Sequence, residues 1–177
     1  MKKAYLLTGR PGTGKTSLIK QAISGLKGKA GGFYTEEIRT QGVRYGFRLI
    51  TLDGQDGILA HVDIQSPYRV SKYGVDINAL ERVGVSALKR AAKECDLIII
   101  DEIGKMELLS FSFREVVLKI LSSGKRVLGT IMLSPEPWAD SLKQRPQVKV
   151  INVTRTNHPE VLEELKNWLE SKNKDRN

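Results

Sequence analysis

The sequence has few of the residues that form covalent crosslinks and metal clusters. Its 177 residues include one cysteine, Cys95, and two histidines, His61 and His158. One cysteine excludes an internal disulfide and a cysteine-based metal cluster, and two isolated histidines argue against a histidine metal site. The composition therefore fits a reducing compartment.

Long apolar runs are absent as well, and aromatic residues make up only 6% of the chain. The apolar run after Lys2 and Lys3 is too short for a signal peptide, and no stretch approaches the roughly 18 apolar residues of a spanning helix. We therefore expect a cytoplasmic protein that makes no membrane contact. So few aromatic residues also argue against a base-stacking surface for single-stranded nucleic acid.

Positive charge is plentiful, with a net charge of +9. Residues 1–60 hold ten Lys or Arg against four Asp or Glu, so most of the excess lies near the amino terminus. Such a field attracts a polyanionic nucleotide, and it would equally attract RNA or DNA. Nucleic-acid binding therefore stays open without being favoured.

Apolar runs and helical periods alternate along the chain, with no linker and no repeat. The patterns predict strands at 3–8, 31–39, 44–52, 57–63, 97–100, 125–131 and 147–153, and helices at 15–26, 78–94, 110–122 and 157–170. Asp76 or Asn78 is expected to cap the second helix. We expect one α/β domain over residues 1–172, with a mostly parallel sheet, flanking helices and an antiparallel excursion at 31–63, and a disordered tail at 173–177.

A glycine-rich motif follows the first predicted strand and precedes the first predicted helix. It reads Gly9-Arg10-Pro11-Gly12-Thr13-Gly14-Lys15-Thr16, which has the spacing of a phosphate-binding loop. Its glycines let successive backbone N–H groups point at phosphate oxygens. Lys15 is expected to bind the β- and γ-phosphates, and Thr16 to offer its hydroxyl to Mg²⁺. The motif predicts binding of a nucleoside triphosphate.

Two carboxylates, Asp101 and Glu102, follow the apolar run 97–100. Ligands of open α/β sheets lie at the carboxyl ends of the strands, so this position suits a partner of the phosphate loop. Asp101 is expected to hold Mg²⁺, directly or through water. Glu102 is expected to point elsewhere, and to orient or deprotonate the water that attacks the γ-phosphate.

A cation that stabilises the transition state is worth seeking, since an inserted arginine is worth about 10³ to 10⁵ in rate. Three residues are candidates, although solvation alone is an alternative role for each: Lys105, Arg145 and Arg10. Glu36 and Glu37 are further candidates that could approach the site from a neighbouring strand.

The sequence resembles a small nucleoside-triphosphatase family first associated with thermophiles, which also has a human member called cancer-related nucleoside-triphosphatase. The resemblance spans nearly the whole chain and is carried by the ranges 9–16, 32–37, 75–76, 101–108, 128–131 and 148–150. It implies a RecA-like fold of the P-loop NTPases, and slow Mg²⁺-dependent hydrolysis of ATP, GTP and other nucleoside triphosphates to diphosphate and phosphate. Nucleotide contacts are implied for Thr8 to Thr16 and for a second segment, Ile98-Ile99-Ile100-Asp101-Glu102-Ile103-Gly104-Lys105.

Two other functions share these motifs. A nucleotide or small-molecule kinase would use the same loop, but no segment combines clustered arginines with the glycine hinges of a lid. A nucleic-acid-stimulated ATPase would fit the positive charge but lacks a recognition motif. Hydrolysis with water as the acceptor is the favoured interpretation.

Overall fold

The computed structural model of the protein describes residues 1–171 and contains one nine-stranded sheet. Its strands are β1 (Ala4–Thr8), β2 (Ala30–Thr40), β3 (Val43–Thr51), β4 (Asp56–His61), β5 (Arg69–Val70), β6 (Tyr73–Val75), β7 (Leu97–Ile103), β8 (Arg126–Ile131) and β9 (Val148–Asn152). The α-helices are α1 (Lys15–Ile23), α2 (Ile77–Ala79), α3 (Ser86–Glu94), α4 (Phe111–Ser122), α5 (Pro137–Lys143) and α6 (His158–Glu170).

The strand order across the sheet is β5-β6-β4-β3-β2-β7-β8-β1-β9. The five strands from β2 to β9 pair in parallel, and we call them the parallel half. The strands β3, β4, β5 and β6 pair antiparallel, with β3 joined to β2, and we call them the antiparallel half. The expected fold class is confirmed, and the antiparallel excursion is larger than predicted because it extends through β5 and β6.

Alternation along β7 explains why helices cover both faces of the parallel half. Ile98 and Ile100 pack into the core on the side of α3 and α4, whereas Leu97 and Ile99 pack into the core formed with α1 and α6. Successive strand residues point to opposite faces, so a continuous apolar run requires cover on both sides. The parallel half is therefore sandwiched between two helical layers.

The predicted helix at 78–94 is present and begins slightly earlier. Asp76 caps it, because its carboxylate accepts a hydrogen bond from the backbone N–H of Ala79 at 2.9 Å. Between α2 and α3 the backbone follows a π-helix over Leu80–Val85. Apolar residues at three- and four-residue steps predict a helix without indicating such a change.

Four short elements were not predicted from the sequence. They are β5, β6, α5 and a 3₁₀ turn at Glu107–Leu109. Strand β7 also continues to Ile103, past the predicted end of its apolar run. No helix within residues 1–171 is long and apolar enough to cross a membrane. The predicted disordered tail at 173–177 lies outside the described residues.

Candidate functional site

A cleft of about 560 Å³ opens at the carboxyl ends of the parallel strands. This is the edge at which open α/β sheets bind ligands, and the volume is in the range of small-molecule sites. The predicted site residues that line it are Gly9, Pro11, Gly12, Gly14, Lys15, Thr16, Asp101, Glu102, Gly104 and Lys105. The two motifs, 85 residues apart in sequence, therefore meet in one cleft.

The phosphate loop requires glycine at two positions for space as well as for conformation. Gly9 and Gly14 have φ values of +146° and +83°. A Cβ atom at Gly9 would lie 2.5 Å from the carbonyl oxygen of Val153, and one at Gly14 would lie 2.8 Å from the ring of His158. Larger residues at these two positions would have a strained backbone and would collide with Val153 or His158.

The loop is held by contacts inside it and by α6. Lys15 Nζ donates to the carbonyl oxygens of Gly9 at 2.9 Å and Arg10 at 3.0 Å. His158, the first residue of α6, bonds through Nε2 to the carbonyl oxygen of Thr13. Because a carbonyl only accepts, this ring nitrogen must carry the proton. His158 therefore supports the loop, a role that no local motif indicated.

Asp101 is buried and accepts a hydrogen bond on each carboxylate oxygen. Thr16 Oγ1 donates to Oδ2 at 2.6 Å, and Thr130 Oγ1 donates to Oδ1 at 2.6 Å. Burial raises the pKa of Asp101, whereas the bonds from Thr130 and Thr16 and the charge of Lys15 act to lower it. Thr130 ends up here because β8 lies between β1 and β7.

Glu102 lies beside a second acid, Glu107. A Cβ atom built on Gly104 would lie 2.9 Å from Glu102 Oε1 and 3.1 Å from Glu107 Oε2, so both carboxylates lie beside Gly104. Burial, followed by the charge of Asp101, raises the pKa of Glu102. A raised pKa brings a carboxylate nearer to the range in which it works as a general base.

Glu107 is buried and accepts a hydrogen bond from the backbone N–H of Gly104 at 3.2 Å. Burial, followed by the charge of Glu102, raises the pKa of Glu107 to about 8. Buried glutamates are rare without a cationic partner, so this side chain is unusual. Sequence reasoning did not select Glu107, although it lies within the 101–108 segment that carried the family resemblance.

Several charged side chains surround the opening of the cleft. Lys105 lines it, is exposed, and makes no ion pair within residues 1–171. Glu36 and Glu37 also line it, as their position on a neighbouring strand allowed. Glu36 pairs with Lys20 at 3.0 Å. Arg44 on β3 reaches the same cleft and pairs with Glu37 at 2.7 Å, a position that sequence reasoning missed.

Other residues of the two predicted segments lie behind the cleft. Ile98, Ile99, Ile100 and Ile103 are buried in the core, and Thr8 and Thr13 are also buried. Arg10 is exposed on the loop and does not line the cleft. Any contribution of these isoleucines to ligand binding is through the position of the strand.

Arg145, one of the three candidate cations, lies away from the site. The carbonyl oxygen of Arg145 accepts from the N–H of Val148, which pairs with Ala4 at the start of β1. The phosphate loop follows Thr8 at the opposite end of that five-residue strand, about 13 Å away. Arg145 therefore lies near the amino ends of the parallel strands, opposite the cleft.

Three features of the site define the class of protein: the glycine-rich loop before a helix, the lysine of that loop, and the buried carboxylate near the end of β7, two strands away from β1. They are the features of a phosphate-loop nucleotide-binding protein of the α/β type.

Comparison with known proteins identifies the family within this class. The family described as NTPase matches residues 4–166. The chain is 55% identical over 160 residues to nucleoside-triphosphatase THEP1 of Thermotoga sp. (strain RQ2), covering 90% of this chain and 91% of that protein. It is 38% identical over 192 residues to the human cancer-related nucleoside-triphosphatase, covering 98% and 100%. The chain therefore belongs to this family of nucleoside-triphosphatases, as the resemblance predicted.

The fold is shared with the solved relatives. The crystal structure of THEP1 from the hyperthermophile Aquifex aeolicus matches with a TM-score of 0.87 and 36% identity, over 94% of this chain and 99% of that chain. The P-loop NTPase fold and the assignment to hydrolases that act on nucleoside triphosphates are thereby confirmed.

Proposed function

We propose that the protein catalyses Mg²⁺-dependent hydrolysis of ATP, GTP and other nucleoside triphosphates to diphosphate and phosphate in the cytoplasm. The observation that carries the proposal is the contact between the two motifs. Thr16 of the phosphate loop lies 2.6 Å from Asp101 at the strand end, and Glu102 lines the same cleft. The groups that we propose for phosphate binding, metal binding and proton abstraction thus lie in one cleft.

The residues fit Mg²⁺ as it usually binds in such sites. Thr16 and Asp101 offer oxygen ligands at one point of the cleft. No group of three or more His, Cys, Asp or Glu residues within 1–171 is arranged as a metal site by itself. Mg²⁺ commonly takes one or two protein ligands and completes its shell with substrate phosphates and water. When bound there, it would neutralise charge on the β- and γ-phosphate oxygens.

The protein's own groups would then bind the phosphates, and orient and deprotonate the attacking water. The loop N–H groups and the Lys15 ammonium hold the phosphates. Glu102 accepts a proton from the water whose oxygen attacks the γ-phosphorus, while the bond to the β–γ bridging oxygen breaks. Lys105 is the exposed cation available to the charge that develops on the γ-phosphoryl oxygens.

Hydrolysis of nucleotides with different nucleobases follows from the nature of these contacts. The phosphate loop, Asp101 and Glu102 are expected to act on the phosphate groups, the metal and the attacking water. These parts of the reaction are the same for every nucleoside triphosphate. Contacts to phosphate position a ligand without reading its base, so ATP, GTP, CTP and UTP are expected to have similar turnover numbers.

Phosphate release and diphosphate formation should be measured together for these four nucleotides, with Mg²⁺ or EDTA present and with or without single-stranded RNA. We expect equal amounts of diphosphate and phosphate, no turnover in EDTA, and no stimulation by RNA. Little phosphate or diphosphate until a phosphate acceptor is supplied would identify a kinase reaction instead. Stimulation by RNA that falls steeply with salt would identify a nucleic-acid-dependent ATPase.

A further inference from the structure

A second pocket, which we call the basic pocket, adjoins the nucleotide cleft on the antiparallel half. Its volume is about 460 Å³. Its cations are Arg39, Arg44 and Lys72. Arg44, Phe47, Val70 and Met106 line both this pocket and the cleft, so the two spaces share one wall.

The cations of the basic pocket keep free hydrogen-bonding capacity. Arg39 uses Nε and Nη1, for Glu37 Oε2 at 2.5 Å and the Gly42 carbonyl oxygen at 2.7 Å. Arg44 uses Nε for Tyr73 Oη at 2.9 Å and Nη1 for Glu37 Oε1 at 2.7 Å. Within residues 1–171, Nη2 of each arginine has no hydrogen-bond partner.

Lys72 is the third cation of the pocket. Unlike the two arginines, it has no anionic partner among the described residues. Its ammonium lies 5.6 Å from the centre of the Tyr73 ring. Lys72 follows Ser71 in the two-residue turn between β5 and β6, where Ser71 has a φ of +54°. A serine in this left-handed region is strained, and such strain concentrates at sites of function. The turn brings both residues to the pocket.

The floor of the basic pocket is apolar and aromatic. The Arg44 guanidinium lies 5.0 Å from the centre of the Phe47 ring, and Phe47 packs edge-on against Tyr73 at 5.3 Å. Three cations and no carboxylate line the pocket among residues 1–171, and Glu37 outside the lining pairs with two of these cations, which leaves an excess of positive charge over an apolar surface. This combination suits an anionic head group attached to a flat or apolar body.

We propose that the basic pocket is a second phosphate-binding subsite, which holds a small phosphate compound beside the nucleotide cleft. Along the sheet, β1 carries the phosphate loop, β7 carries Glu102, and β2 and β3 follow on the side away from the loop. The subsite therefore lies beyond the γ-phosphate end of a bound nucleotide. That adjacency rests on the proposed function, whereas the anion subsite itself does not.

The phosphate group could belong to the free ion released by hydrolysis or to an organic phosphate, and two probes separate these sources. Isotope-labelled full-length protein carrying Lys15→Ala, which weakens the phosphate loop, is titrated at low salt with inorganic phosphate and then with phenyl phosphate. We expect saturable shifts of the backbone amides of Ser71 and Lys72 in NMR spectra. Tighter binding of phenyl phosphate assigns an organic ligand that packs on Phe47, and equal affinities assign the free ion.

The side chains are tested by adding Arg39→Gln and Lys72→Gln together, which should weaken binding of both probes at least about tenfold, since two charged donors are lost. The matched control adds Arg48→Gln, a change to an exposed arginine on β3 that pairs with Asp56 instead. Shifts confined to the phosphate-loop amides, or equal affinity in the double variant and the control, would overturn the proposal. If the protein did not hydrolyse nucleotides, the shifts of Ser71 and Lys72 would still be expected. The proposed hydrolysis and the proposed subsite can therefore be disproved separately.

Discussion

The parallel and antiparallel halves of the sheet build sites in different ways. In the parallel half every strand runs in one direction, so loops from β1, β7 and β8 meet at one edge and the site is made largely of backbone and buried side chains. In the antiparallel half the basic pocket is made of side chains from neighbouring strands and one turn, of which Arg39 and Lys72 are exposed and Arg44 pairs with Glu37 on β2. We therefore expect single substitutions in the parallel half to have the larger effects.

The largest expected effect is that of Glu102→Gln in the parallel half. Glutamine keeps the size of the side chain but cannot accept the proton of water, so turnover should fall at least about 100-fold while nucleotide affinity stays the same. Steady-state phosphate release and nucleotide titration measure the two quantities. Glu94→Gln, at an exposed ion pair with Lys29, serves as the control. Undiminished turnover in the Glu102 variant would transfer the role of base to another residue.

Removal of the loop cation should come next. Lys15→Ala should weaken binding of a nucleoside triphosphate about 10- to 100-fold, because contacts from a charged donor to phosphate are lost, and should leave nucleoside binding unchanged. Calorimetry with ATP and with adenosine makes the comparison, and Lys93→Ala, a change in helix α3, is the control. An unaltered affinity for ATP would contradict nucleotide binding by this loop.

A pair of glycine substitutions compares the halves directly. Gly14 has a φ of +83° and Gly42, between β2 and β3, has a φ of +79°, but a Cβ atom would collide with His158 only at Gly14. Each alanine should lower the free energy of unfolding by about 1 kcal/mol through backbone strain. Gly14→Ala should cost more, as urea denaturation would show. Equal losses would mean that His158 moves aside freely.

The buried acid of the parallel half should make stability depend on pH. The pKa of Glu107 is about 8 in the folded protein and near the ordinary value of 4.5 when unfolded. Between these values the folded state binds more protons, so without nucleotide the free energy of unfolding should fall as pH rises. Glu107→Gln should reduce this slope between pH 5 and 8. If the urea midpoint changes with pH by the same amount in both proteins across that range, the raised pKa is contradicted.

The smallest effect is expected in the antiparallel half. Arg48 and Asp56 form an exposed ion pair at 2.6 Å between β3 and β4. Such pairs are worth about 0 to 1 kcal/mol, so Arg48→Gln should change the free energy of unfolding by no more than this. Thermal and urea unfolding would detect a larger loss, which would show that exposed pairs hold this half together.

Local motifs made part of the site predictable. The spacing from Gly9 to Thr16 and the acids after an apolar run each specify chemistry within a few residues, and the sheet rule brings them to one edge. Thr130, His158 and Arg44 carry no such local signal, since each reaches the site only through the strand order or the helix that positions it. Glu107 differs, because its burial depends on a 3₁₀ turn that composition does not reveal.

The same contrast holds for the fold. Helices and strands with a clear period were predicted within a few residues, as β7 and α4 show. Strands β5 and β6 have two and three residues, shorter than the five or six of a typical strand, and leave no periodic pattern. Because the basic pocket depends on the turn between them, sequence reasoning could not anticipate it.

The bond from His158 to Thr13 has a consequence for how the sequence can drift. The Thr13 carbonyl oxygen needs a donor at the start of α6, and neither the aromatic ring nor its basicity is required for that purpose. Position 158 should therefore accept glutamine or arginine more readily than phenylalanine or leucine of comparable bulk. A deep mutational scan selected for folded protein would show this tolerance following donor capacity rather than size.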